Sequence, residues 1–113
     1  MKYYTFNQNN SGGGFDHDPR TGVGVYVIIQ AQSEEDAIER AERIGLYFDG
    51  RGDCPCCGNR WGSPYPLDGT DEPRIYGELF APCEGDEEPY LRYELPSYIH
   101  RADGMFAPLR EVK

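Results

Sequence analysis

Long apolar runs are missing from this chain, so no segment reaches the roughly 20 residues a membrane-spanning helix requires. The N-terminus, "MKYYTFNQNN", also lacks the apolar core of a secretory signal. A cytoplasmic protein is therefore expected, with its cysteines reduced, metal-bound or redox-active rather than paired in structural disulfides. Lysine is nearly absent as well: nine of the eleven basic residues are arginine. Against twenty acids they leave a net charge of −9, which argues against general nucleic-acid binding, since that requires a cationic field. Histidine occurs only twice. No Ser-His-Asp spacing, paired carboxylates or cofactor fingerprint stands out, so a non-enzymatic role is favoured.

What is present describes a turn-rich domain. Fourteen Gly and nine Pro divide the chain into short elements, while nine Tyr and five Phe supply bulk to a modest core. At 113 residues, one domain spanning 1–113 is expected. Residues 2–8 alternate as a strand, and the near-continuous apolar stretch 23–31 predicts a central strand covered on both faces. Ser33 reads as an N-cap, with Asp36 at the capping-box position and acids at 34–36 suiting the helix N-terminus. The apolar stripe Ala37, Ile38, Ala41 and Ile44 extends the helix over about 34–44, with i,i+4 pairs Asp36–Arg40 and Glu39–Arg43 and a stop at Gly45. Leu46 and Phe48 then read as core anchors. Residues 74–80, 90–95, 97–101 and 105–109 read as further strands, the last two joined by a hairpin at Gly104. The predicted class is α+β: a small antiparallel or mixed sheet, one principal helix, and a long structured Cys-containing loop over about 49–73.

That loop holds "DCPCCGNRW" (53–61), with three of the four cysteines. Cys54 and Cys57 have the i,i+3 spacing of a zinc knuckle, Cys56 lies between them, and Cys83, His100 and His17 are the remaining candidates to complete four ligands. The same letters resemble a redox dithiol, although "GNRWGSPYP" is a poor helix start. The third and preferred reading is that small reduced thiols pack the loop beneath Trp61 and Phe48. Zinc thus remains an open cofactor, with Cys54, Cys57, Cys83 and His100 as its set. His17, between Asp16 and Asp18, reads as a solvated loop residue before it reads as a metal ligand. A second candidate site is the glycine-rich loop. Asn10, Ser11, Gly12 and Gly13 read first as a flexible hairpin loop and second as a backbone nest for an anion, with Arg20, Arg60 and Trp61 as side-chain partners, although no P-loop Lys-Ser/Thr follows. The acids at 34–36, 68–72 and 84–88 are solvated faces or a surface for a basic protein. The surplus of arginine raises the prospect of an Arg-lined site within an acidic shell, although structural Arg–Asp/Glu pairs are the favoured use.

The blocks "YFDG" (47–50), "DCPCCGNRW" (53–61), "EPRIYG" (72–77) and "IHRADG" (99–104), together with "FNQNNSGGGF" (6–15) and the 27–48 run, resemble a group of small uncharacterised proteins of tailed bacteriophages. The resemblance implies a phage product acting in the bacterial host cytoplasm and dispensable for building the virion. It carries no catalytic residue with it. Within that context the expected function is non-enzymatic binding of a host component, in counter-defence or host takeover. The partner is either a host protein or a nucleotide-type small molecule, and homo-oligomerisation is compatible with both. The alternative is a small zinc-containing or redox-active enzyme.

Overall fold

In the computed structural model, residues 1–8, 15, 17–47, 61–62, 64 and 67–112 are described. The chain order is β1 (Lys2–Asn7), β2 (Tyr26–Ala31), α1 (Glu34–Arg43), β3 (Arg74–Ile75), β4 (Glu78–Pro82), β5 (Leu91–Arg92), β6 (Leu95–Pro96), β7 (Tyr98–His100) and β8 (Phe106–Glu111). Six strands form one mixed sheet in the order β1-β2-β7-β8-β4-β3, while β5 and β6 pair as a separate hairpin. Only β2 and β7 run parallel within it. The sheet almost closes on itself. Tyr3 on the outer edge of β1 exchanges backbone hydrogen bonds of 2.8 and 2.9 Å with Thr70, and the Thr5 hydroxyl donates to the Arg74 carbonyl at 2.6 Å. The chain leading into β3 thus covers the edge that β1 would otherwise leave open. Among the described residues the regular structure is mostly sheet with a single short helix, so the helix is a minor part of this architecture.

Pleating of β2 creates two cores. Val27, Ile29 and Ala31 face α1 and join Tyr4, Phe6, Val23, Leu46 and Trp61, while Ile28 faces the inside of the curved sheet with Ile75, Phe80, Ile99 and Leu109. The expected central strand is therefore covered on both sides. It begins at Tyr26 rather than Val23, because Val23 pairs back with Asp18 in a turn whose Asp18 carbonyl accepts from Gly22 and Val23.

The helix follows its sequence signals. Ser33 Oγ accepts from the Asp36 N–H at 3.1 Å, and Asp36 in turn accepts from the N–H of Gln32, one residue earlier than an ordinary capping box. Ala37 and Ala41 are fully buried, and the small side chains let the helix lie close on β2. Both i,i+4 pairs form. Ile44 is the C-cap, and Gly45 follows at φ +111°.

Two expected strands are divided. Residues 74–80 form β3, a turn at Tyr76–Gly77 and β4, and residues 90–95 form β5, a turn at Tyr93–Glu94 and the start of β6. Tyr76, Gly77, Tyr93 and Glu94 all have positive φ, so both are two-residue turns of the type I′ kind. The hairpin at Gly104 (φ +91°) stands as expected. Of the loop over about 49–73, residues 49–60, 63 and 65–66 lie outside the described residues, as does Phe48. Its described parts add β-bridges from Thr70 to Tyr3 of β1 and from Trp61 to Gln8, just past the end of β1.

One close approach sets how β2 enters the sheet. The Val25 N–H donates to the Pro96 carbonyl at 3.2 Å, and a Cβ on Gly24 would sit 2.1 Å from that oxygen. Gly24→Ala is accordingly expected to lower stability by at least ~2 kcal/mol, as overpacking against backbone does. Gly62→Ala, where nothing lies within 4 Å of the added methyl, should change it by less than ~0.5 kcal/mol. Denaturant titrations of the two variants against the parent read the difference.

Candidate functional site: an exposed tyrosine–arginine face

The inner core does not end in polar residues. At one mouth of the curved sheet, Tyr26 and Tyr90 pack half-buried against it, and beyond them the two type I′ turns carry Tyr76 and Tyr93 into solvent. Tyr76 is 62% exposed and Tyr93 is 63% exposed. The rings are ordered against one another. Tyr26 meets Tyr76 edge-on at 6.2 Å, Tyr90 meets Phe80 edge-on at 5.0 Å, and Phe15 stacks on Tyr93 at 5.1 Å. The Arg92 guanidinium lies 5.0 Å above the Tyr93 ring. Leu91 is exposed beside it.

Both turns hold their tyrosines at a conformational cost. A β-carbon in the left-handed region costs on the order of 1–2 kcal/mol per residue, which is why Asn and Gly dominate such positions. Here Tyr76 (φ 49°), Tyr93 (φ 55°) and Glu94 (φ 65°) occupy it. Strain of this kind persists where the surrounding structure imposes it, and it concentrates at functional surfaces.

The face is electrostatically mixed. Burial pushes the Tyr26 phenol above its ordinary pKa, so it stays neutral. The Tyr93 side-chain hydrogen bond, then the surrounding tyrosines, raise Arg92 further, so it stays charged. Acids form the rim. Glu78 and Glu94 flank the turns, and Glu87 and Glu88 share a hollow with Tyr90 and Arg110. Rings, one arginine and an acidic border supply contact area and orientation.

Those of the residues singled out from the sequence that are described do not join this face. Asn10, Ser11, Gly12, Gly13, Arg60, Cys54 and Cys57 fall outside the described residues. Arg20 is exposed and pairs with Asp18, its Nε 3.4 Å from the carboxylate. Trp61 is 1% exposed within the helix-side core, which leaves no ring face for a ligand. His100 and Cys83 are not brought together. His100 sits across β8 opposite Phe106, whereas the Cys83 N–H donates to Pro108 from the other side of β8. Burial and then Glu87 raise the Cys83 thiol pKa, with Arg110 opposing, which keeps the thiol protonated rather than nucleophilic. Among the described residues, no group of three His, Cys, Asp or Glu side chains is placed to hold a metal ion. None of the described helices is long and apolar enough to cross a membrane.

His100 has a structural partner. Its Nε2 lies 2.7 Å from the Gly22 carbonyl, and since a carbonyl only accepts, Nε2 carries the proton. Gly22 has φ +77°, and a Cβ there would lie 2.6 Å from the Phe106 ring and 2.8 Å from the imidazole. The site therefore has room for a histidine only over a glycine.

The tyrosine turns were not expected from the sequence. Nine tyrosines were read as core filler, and the available signal was Gly77 directly after Tyr76. Tyr93–Glu94 offers none.

Two expectations follow from this geometry. Tyr76→Asn and Tyr93→Asn each lose ring contacts worth ~0.5–1.5 kcal/mol while relieving left-handed strain, so each should leave stability within about 1 kcal/mol of the parent in chemical denaturation. Phe6→Ala, by contrast, should cost ~3–5 kcal/mol. Separately, burial holds the His100 pKa below its ordinary value, with the Gly22 hydrogen bond opposing. A group harder to protonate when folded stabilises the fold above its unfolded pKa of about 6.5, and this contribution is lost as pH falls through that value toward the lower folded one. Stability should thus begin to decline below about pH 6.5, and His100→Gln should flatten that part of the profile. Asp36, held low first by the Gln32 N–H and then by Arg40, acts in a separate window below about pH 4. Denaturation midpoints measured between about pH 7 and pH 5 test the histidine.

No curated protein and no solved structure matches the chain. Residues 1–111 match a family described as Domain of unknown function (DUF7296), and the chain belongs to that family.

Proposed function

We propose that this is a non-enzymatic binding protein that docks a host protein through the face formed by Tyr76, Tyr93, Tyr26, Tyr90 and Arg92. The observation that carries the reading is the pair of strained turns that hold two tyrosines outward, where Asn or Gly would fold more easily. Tyrosine and arginine are the residue types that contribute most to binding when buried at an interface, and rigid aromatic rings lose little entropy on contact. The acidic rim favours a partner surface with basic residues around an apolar centre. The resemblance to tailed-bacteriophage proteins adds the setting: an accessory protein in the bacterial cytoplasm that blocks a host component, in counter-defence or host takeover.

The test is capture of a bacterial protein by the immobilised chain, followed by measurement of the purified pair. Tyr76→Asn/Tyr93→Asn is expected to weaken binding at least ~100-fold, the loss of two interface anchors, with stability retained. Raising salt from about 50 to 500 mM should slow association. A partner that binds the double variant as tightly as the parent overturns the reading.

A further inference from the structure

A second feature lies away from the aromatic face and does not depend on it. The C-terminal half of α1 and the β7–β8 hairpin enclose a cavity of about 170 Å³. Arg40, Arg43, Arg101 and His100 line it, and Ile29 and Ile44 supply apolar wall. Three of the seven arginines among the described residues thus converge on one small space in a chain of net charge −9.

Two of the guanidiniums are held in place from outside. Arg40 Nε lies 3.3 Å from both Asp36 oxygens, and its Nη1 donates to the Ala102 carbonyl across the hairpin at 3.4 Å. Arg43 is braced by Glu39 in the same i,i+4 manner. Arg101 makes no ion pair among the described residues, although its own N–H closes the hairpin onto Met105. The nearby Asp103 carboxylate accepts from the Met105 N–H. The negative end of α1 is muted, because the Ala41 and Glu42 carbonyls accept from Ile44, Gly45 and Leu46. What remains is a space lined by two guanidiniums already paired with Asp36 and Glu39, which keep N–H groups to spare, by the unpaired guanidinium of Arg101, and by an apolar wall that weakens screening.

We propose that this cavity is an oxyanion site that takes a phosphoryl group. Guanidinium N–H groups match the tetrahedral oxygens of phosphate, and the cavity has room for that group. Two sources share this chemistry, free inorganic phosphate and a phosphate monoester of a nucleoside. For the ester, the nucleoside would extend along the adjoining hollow past Ile44 and Gly45 toward Thr21 and His17, a hollow that Asp18 and Glu42 also line.

The experiment titrates the full-length chain with inorganic phosphate at constant ionic strength while following the arginine Nε–Hε signals by NMR. The expected result is a saturable shift shared by Arg40, Arg43 and Arg101, with Arg74 and Arg92 unmoved. Arg101→Gln, at an exposed position, should weaken binding at least ~10-fold, the loss of one charge-assisted contact. Arg43→Gln serves the same purpose if the first variant does not fold. Adenosine monophosphate run in parallel distinguishes the sources: tighter binding than phosphate indicates the ester, and equal binding indicates free phosphate. Shifts that stay linear, that spread over all arginines, that chloride reproduces, or that persist in Arg101→Gln or Arg43→Gln overturn the proposal.

Discussion

Val27, Ile28 and Ile29 are each essentially inaccessible to solvent, yet they point to opposite sides of one strand. That arrangement requires two layers of cover. α1, Trp61 and Leu46 provide one, and the curling of the sheet provides the other. Each of these side chains contributes ~1.5–3 kcal/mol by leaving water, so together they gain an amount comparable to the net stability of a small domain. The curvature, the bridge from Thr70 to Tyr3, and the close approach of Gly24 to Pro96 all serve to keep β2 enclosed.

Curling a short sheet leaves an open mouth, and the contents of that mouth give the protein its surface character. Tyr26 and Tyr90 belong half to the core and half to the surface. They form a rigid base from which Tyr76 and Tyr93 project. A face supported in this way is ordered before any partner arrives, which lowers the entropic cost of docking. The strained turns are tolerated because the strands on either side of each are already paired, through Ile75↔Glu78 and Arg92↔Leu95.

Charge is organised on the same scaffold. Excess acid lies on exposed loops and helix flanks, where solvent screens it. The arginines are used singly and with orientation: Arg92 over a ring, Arg110 against Glu87 at 2.8 Å, and Arg40, Arg43 and Arg101 around one cavity. Most of the described arginines also pair with an acid, as Arg20 does with Asp18 and Arg74 with Glu72, which is the use the sequence favoured for them. The convergence of Arg40, Arg43 and Arg101 depends on α1 lying beside the β7–β8 hairpin, a contact between segments some 60 residues apart in the chain.

Local rules made several elements legible. Ser33 and Asp36 announce the helix start, the Ala37–Ala41 spacing announces its buried face, and Gly104 announces a hairpin, because each depends on neighbours within four residues. The near-continuous apolar run at 23–31 announces burial on both sides, since a one-faced strand would alternate. The turns at Tyr76 and Tyr93 left little trace. Left-handed tyrosine contradicts local preference, and only strand pairing on both sides imposes it. The separation of His100 from Cys83, the burial of Trp61 and the meeting of three arginines were likewise decided by packing. Short-range propensity acts within a turn or two, whereas the position of one surface side chain relative to another depends on how the strands between them are ordered and how far the sheet curls. Composition and spacing therefore determined which segments are helix, strand and core, and the tertiary structure alone decided which side chains share a face.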